Sequence, residues 1–482
     1  MSLKQDMIKG VFWTAIGKYS GLIIQILVTA ILARLISPEN FGVVAIATVL
    51  ITFFNMFTDM GLGAAIVQRH DMTKKDYDNL YSFTIYLGLI LFFLFFASSF
   101  LIARFYGNLN LKPICQLLSI SLLFNAFNIV PNALITKEKR FKFIAQRTLI
   151  LQILSGIVSI ISAFCGYGVY ALLIAPILSS IGIYIINIKQ YNLKFILKPT
   201  FSIVNKIFSY SFFLLLFNVS NYFTRNLDKL IVGKYFSLNE LGYYEKSYRL
   251  MMLPLQQITH VITPVMHPVL TCLQNDYYEL AEKYNKIIKL LATIGFPLGI
   301  YLYFAADNLI LIIYGEQWIN AIPVFKILSL SVPIQMLLST TGAIYQVSNR
   351  TDWLFYAGTF HSAITILGLI IASAYFNSIN AIAWSIIITF NFHAIISFFV
   401  IYKIILKQSL RKMLKLLLIP VLISFCILCI LPFIDLFDMN SFISIFIQTI
   451  VSGVITIILT QLTGQYDMLS KIRIICNRSI IK

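Results

Sequence analysis

The chain has 482 residues, 59% of them hydrophobic and only 12% charged, with a mean hydropathy of +0.85. Soluble domains carry roughly 25% charged residues, so an ordinary soluble enzyme is excluded and an integral membrane protein remains. A formal charge of +18 would suggest nucleic acid in a soluble chain, but here the cations lie between apolar segments, which points to membrane topology and to no nucleic acid partner.

Apolar runs of helix length predict about fourteen transmembrane helices, over 11–36, 40–66, 80–105, 112–135, 146–168, 169–188, 207–236, 239–272, 284–306, 321–347, 353–376, 379–402, 414–433 and 442–464. The alternating pattern of a membrane β-barrel is missing. The first run is too long for a signal-peptide core and reads as a retained span. The eighth run is longer than a crossing needs and contains Pro254, Pro264 and Pro268, which predict a bend or a break.

With a cytoplasmic N-terminus, the basic residues collect in inner segments, as in the cluster Lys137, Lys139, Arg140, Lys142 and Arg147 and the cluster Lys403, Lys407, Arg411, Lys412 and Lys415. The outer segments hold only Arg34, Arg104, Lys112 and Lys234. This bias places both termini inside and requires an even number of spans. All loops are too short for a soluble domain of about 50 residues or more.

The seventh run holds Arg225, Asp228 and Lys229. Asn218, Asn221, Arg225 and Asp228 follow at helical steps and share one face. Each charge at mid-bilayer costs roughly 2.5–3.5 kcal/mol, so this stripe is expected to face a water-filled cavity or a bundle interior. The alternative is that Arg225 and Asp228 pair with each other. Further polar faces are Lys18, Gln25 and Thr29 in the first span, and Thr48, Thr52, Asn55 and Asp59 in the second. Ser121, Asn125, Asn128 and Asn132 line the fourth, and Arg249, Gln256 and Thr263 the eighth. The third span is nearly all apolar and is expected to face lipid. Spans 1, 2, 4, 7 and 8 are therefore the expected cavity walls. The Asn and Ser stripes read equally as interhelical hydrogen bonds. Asp59 either pairs with a cavity cation or ends a helix before Gly61 and Gly63.

His260 and His267 read as packing or cavity lining, and Cys426 and Cys429 as apolar filling, so no metal site is expected. No Walker loop, GxSxG elbow, HExxH motif or carboxylate pair occurs. The expectation is a transporter with no enzymatic activity and no cofactor, driven by a gradient, the membrane potential or substrate flow. Excess cations suit an anionic cargo, and a diphosphate bearing sugars fits.

The chain also contains an internal echo. Residues 31–42, ILARLISPENFG, align with 231–242, IVGKYFSLNELG, at an offset of 200. Ile31/Ile231, Ser37/Ser237 and Gly42/Gly242 are identical, and Arg34/Lys234 and Phe41/Leu241 are similar. The ends of spans 1 and 7 thus correspond, which predicts parallel repeats of six helices.

Three stretches carry a family resemblance: GVFW at Gly10–Trp13, LARLISPENFG at Leu32–Gly42, and FTDMGLGAAIVQR at Phe57–Arg69. With NLDKLIVGKYFSLNELGYYEKSYRL at 226–250, they resemble the polysaccharide transport family, the Wzx-type flippases of the MOP exporter superfamily, most closely the colanic-acid and lipopolysaccharide exporters. The resemblance implies an all-α polytopic fold: two six-helix lobes in a V (1–200 and 201–410) and two further helices with a basic tail (411–482). It implies transfer of an oligosaccharide on undecaprenyl diphosphate across the cytoplasmic (inner) membrane by alternating access. Other polysaccharide assembly proteins are candidate partners. Lys18, Arg225, Lys229 and Arg249 are the positions that fit the cationic lumen residues of such families. Asn218, Asn221, Asp228, Asp59 and Gln256 complete the expected substrate-binding set. The competing readings are a multidrug and toxin exporter of the same superfamily and a membrane polysaccharide polymerase. The first would use acids in its cavity. The second would need a large catalytic outer loop.

Overall fold

In a bilayer each backbone N–H and C=O must be satisfied within its own segment, which leaves helices as the solution for these apolar runs. The structure, a computed structural model, describes residues 3–59, 61–69, 71–200, 219, 222–223, 225–274, 276–437 and 439–464. Among the described residues there is no strand. Ten helices there are long and apolar enough to cross a membrane, or twelve if each of two bent pairs is one span. The expected seventh span falls largely on residues outside the described set. The expected eighth is a 34-residue helix that is not among the twelve. Its three prolines do not interrupt it.

The chain forms two compact units, Met1–Gly242 and Tyr243–Lys482. The first contains α1 (Leu3–Leu35), α2 (Pro38–Asp59), α3 (Leu62–Gln68), α4 (Lys74–Tyr106), α5 (Leu111–Phe127), α6 (Ile129–Lys137), α7 (Phe141–Phe164), α8 (Ala171–Ile188), α9 (225–235) and the first turn of α10 (Leu238–Thr271). α4 starts on a capping box, in which Asp76 N–H donates to Thr73 Oγ1 at 3.4 Å and Thr73 N–H to the Asp76 carboxylate at 2.8 Å. It stops at Gly107 in the left-handed region, a conformation that glycine adopts at little cost. α1 lies along α7 through small residues: a Cβ on Gly17 would stand 3.0 Å from that of Ala145. Gln152 Nε2 of α7 donates to Gly21 O at 2.8 Å.

Two of the expected spans in the first unit are interrupted. α2 ends at Asp59, Gly61 turns the chain at φ 78°, and α3 resumes. α5 and α6 meet at 42° around Asn128. Pro131, three residues on, has no N–H to give and its ring clashes with the carbonyl four residues back, so the fourth span cannot continue straight. α3 and α6, the two short pieces beyond the breaks, pack on each other over Leu62, Ile66, Leu80, Tyr81, Val130, Ala133 and Leu134. Lys137 Nζ pins their far ends by donating to the Arg69 carbonyl and, at 2.9 Å, to Tyr77 Oη.

The echo segments meet. A Cβ on Gly42 would fall 1.9 Å from the Leu238 carbonyl oxygen, and one on Gly242 would fall 2.1 Å from that of Pro38. Pro38 and Leu238 begin α2 and α10, and the glycines stand four residues further in each. The two helix starts thus cross in a reciprocal contact, each glycine over the other helix's first carbonyl. Ser237 caps α10 with Glu240, its Oγ donating to the carboxylate at 2.8 Å. Lys234 Nζ donates to the Phe105 carbonyl and lies 4.5 Å from the Phe105 ring, joining α9 to the end of α4.

The second unit holds the rest of α10, then α11 (Tyr277–Phe304), α12 (Ala306–Ile313), α13 (Ile322–Ser329), α14 (Val332–Leu338), α15 (Thr341–Val347), α16 (Thr351–Ile371), α17 (Ile379–Phe399), α18 (Leu410–Asp435) and α19 (Ser441–Leu462). Its bent pair, Glu316–Ser329 and Val332–Val347, turns by 48°. Its core is built on Tyr284, Trp318, Phe325, Tyr345 and Tyr402, all fully buried. Buried tyrosines need partners. Tyr402 Oη donates to Asn285 Oδ1 at 2.6 Å, and Tyr284 Oη pairs with Thr340 Oγ1 at 3.1 Å.

Candidate functional site

The two breaks of the first unit open a cavity of about 540 Å³ between α2–α3 and α5–α6. Its wall consists of Thr58 from α2, Gly63, Ala64, Val67 and Gln68 from α3, Asn125 and Asn128 from the α5 end, and Ile129, Asn132, Ala133 and Thr136 from α6. Among the described lining residues none carries a charge. The volume lies within the roughly 300–1,000 Å³ of ligand pockets.

The predicted fourth-span stripe supplies three of the polar groups. Asn125 Nδ2 donates to Asn55 Oδ1 at 3.2 Å, so the second- and fourth-span stripes meet. Thr58 Oγ1 donates to Asn55 O at 2.7 Å and Thr136 Oγ1 to Asn132 O at 2.9 Å. Behind the wall stands Arg147 of α7, only 6% exposed. Its guanidinium donates to Asn187 Oδ1 and, over 3.4 and 3.5 Å, to Asn132 Oδ1. Asn187, wholly buried, passes its Nδ2 to Asn128 Oδ1 at 2.7 Å. Arg147 Nε is buried and has no hydrogen-bond partner among the described residues. The polar stripe therefore serves both readings: its inner atoms hold helices together, and its outer atoms line a cavity.

Sequence reasoning missed Arg147, grouping it with the basic cluster of an inner loop. The helix begins at Phe141, five residues before the expected 146, so Arg147 is already in its second turn.

The other expected site residues are distributed as follows. In the first unit Lys18 is exposed, one position round from the Gly17 contact that seats α1 on α7. Asn218 and Asn221 lie outside the described residues, as does the side chain of Asp59, although α2 does end there. Asp228 is 3% exposed, on the same side of α9 as Val232, while Arg225 is exposed and Lys229 half-buried. The expected common face of Arg225 and Asp228 thus divides into an outer and an inner side. Just before α9, Tyr222 Oη donates to Val49 O at 2.5 Å and the Phe223 ring lies tilted 5.0 Å from that of Phe53, both partners on α2. In the second unit Arg249 is exposed and Gln256 half-buried on α10. One turn before Arg249, Lys246 is buried with its Nζ 5.7 Å from the Tyr314 ring. A smaller cavity of about 350 Å³ there is mostly apolar, between Phe296, Ile300, Pro333, Val421 and Phe425. No group of three or more metal-ligating side chains occurs among the described residues.

Apolar spans interrupted around a polar cavity define a multi-pass membrane protein. Its fold is that of the lipid II flippase MurJ in an inward closed conformation, with a TM-score of 0.74 and 18% identity over 94% of this chain and 99% of that one. The chain belongs to the family described as polysaccharide biosynthesis protein, which it matches over residues 31–323. It is similar to the teichuronic acid biosynthesis protein TuaB of Bacillus subtilis (strain 168), 27% identical over 396 residues covering 81% of this chain and 82% of that one. It is also similar to the lipopolysaccharide biosynthesis protein WzxC of Escherichia coli (strain K12), 24% identical over 439 residues covering 88% and 86%. The resemblance to polysaccharide exporters is borne out, and the protein is a transporter, not an enzyme.

Proposed function

We propose that this protein flips an oligosaccharide repeat unit, carried on undecaprenyl diphosphate, from the inner to the outer leaflet of the cytoplasmic membrane. The cargo would be a precursor of O-antigen, capsule or exopolysaccharide. Both termini face the cytoplasm, and two six-helix lobes, 1–200 and 201–410, alternate access, with 411–482 as an addition. The observation that carries this reading is the likeness of nearly the whole chain to a lipid II flippase, joined to relatives named for teichuronic acid and lipopolysaccharide biosynthesis. Lys18, Arg225, Lys229 and Arg249 receive the diphosphate, since ammonium and guanidinium groups make charge-assisted hydrogen bonds to phosphate oxygens. Asn218, Asn221, Asp228, Asp59 and Gln256 support them. The sugars enter polar cavities such as that of the first unit, and the polyprenyl tail stays in lipid.

The test is deletion of the gene. The deletion strain is expected to lose its surface glycan and accumulate the lipid-linked precursor, with both defects reversed by the intact chain. Normal surface glycan with altered drug tolerance would overturn the reading in favour of a multidrug exporter.

A further inference from the structure

Arginine has five N–H donors and no acceptor. Every amide that meets Arg147 must therefore turn its oxygen inward. Asn132 does so, and so does Asn187. Asn187 is then left with only its Nδ2 for Asn128, which must answer with Oδ1. At each step the sense of the amide is fixed by the one before it. At the end of the relay, the N–H groups of Asn128 and Asn132 remain for the cavity that both residues line. Asn125 is set the other way, because its Nδ2 is used on Asn55, so its carbonyl is left. The lining has no carboxylate among the described residues to receive a cation. The buried positive charge of Arg147 lies one amide behind the N–H groups of Asn132 and two behind those of Asn128, and polarises them as donors.

From this arrangement we infer that Arg147 is a positioning residue that sets the first-unit cavity to bind an uncharged, acceptor-rich sugar of the cargo. The acetamido carbonyl or ring hydroxyl oxygens of that sugar accept from Asn128 and Asn132. An amino sugar, whose ammonium can only donate, finds no acceptor on the side chains that Asn128 and Asn132 present, meets a nearby cation, and binds more weakly. The inference deepens the flippase reading and rests on it for the identity of the sugar as cargo.

The matched probes are N-acetylglucosamine and glucosamine, titrated by saturation-transfer NMR onto the purified full chain in lipid nanodiscs. The intact protein is expected to bind the acetamido sugar at least tenfold more tightly. Asn132→Asp replaces the donor by an acceptor, while its carboxylate pairs directly with Arg147. The preference should fall at least tenfold with the melting temperature held or raised. Arg147→Met releases the amides to turn and should lose the preference too. If that variant fails to fold, Asn132→Asp alone decides. A purely structural Arg147 would leave Asn132→Asp with the wild-type preference, and that result overturns the inference. So does equal binding of the two probes by the intact chain. Complementation of surface glycan in the deletion strain is read separately. Restored glycan without sugar preference sinks this inference alone. Sugar preference without any glycan defect sinks the flippase reading and leaves the cavity assignment standing.

Discussion

Removing Arg147 would leave two amide oxygens, those of Asn132 and Asn187, without their donor, and would free the Asn187–Asn128 pair to turn. Each buried polar group left without a partner costs about 1–3 kcal/mol, so Arg147→Met is expected to lower the thermal midpoint of the detergent-solubilised protein markedly, as read by fluorescence size-exclusion after heating. The cations of α9 should behave oppositely. Arg225→Ala and Lys229→Ala are expected to leave insertion and melting intact while lowering glycan export at least tenfold, measured against expression level. Lys229→Arg should be milder. Wild-type export from either alanine variant would end the phosphate role proposed for them. The difference between the two kinds of cation was only half legible in the sequence. Arg225 and Lys229 stand out because they interrupt the long apolar run 207–236. Arg147 does not, because six residues separate it from the start of its helix and four other cations precede it within ten positions, so it reads as one more loop charge.

Among elements, the most informative are those that stop early. Spans 2 and 4 have enough apolar length to cross uninterrupted, and hydropathy reads them that way. What hydropathy does not register is that one left-handed glycine and one proline suffice to turn a helix. Gly61 and Pro131 were visible as residues, but their effect depends on the short pieces after them finding partners, and α3 finds α6. Pro131→Ala is expected to restore the missing hydrogen bond to the preceding turn and straighten α5 into α6, closing the cavity. Sugar binding would then weaken although the core stays apolar and well packed. Unchanged binding in that variant would show that the bend is set by the α3 packing and not by the proline. At the crossing of α2 and α10, Gly42→Ala and Gly242→Ala each drive a methyl into a backbone carbonyl. Backbone cannot rotate away as a side chain can, so each should cost about 1–3 kcal/mol of overpacking. The two costs should be nearly equal, and the double variant should cost less than their sum, because either methyl alone already parts the strained contact. Thermal midpoints of the three variants measure this.

For the whole molecule, the basic bias predicts orientation. Alkaline phosphatase fused at Asn108 should be active, fused at Lys139 inactive, and inactive when fused after the last residue. The reverse pattern would invert the membrane orientation and with it the direction of transport. The number of spans was less legible than the class of protein: length and composition are enough to exclude a soluble fold, but a count requires each run to be one helix, and several are two. The reciprocal contact of Gly42 and Gly242 carries a consequence for ancestry. A seam in which the same surface meets itself is what a two-fold homodimer builds at its axis. Joined end to end, the two halves of such a dimer are free to diverge wherever they do not touch. Atoms in the seam have no such licence, and it is there that Gly42 still equals Gly242.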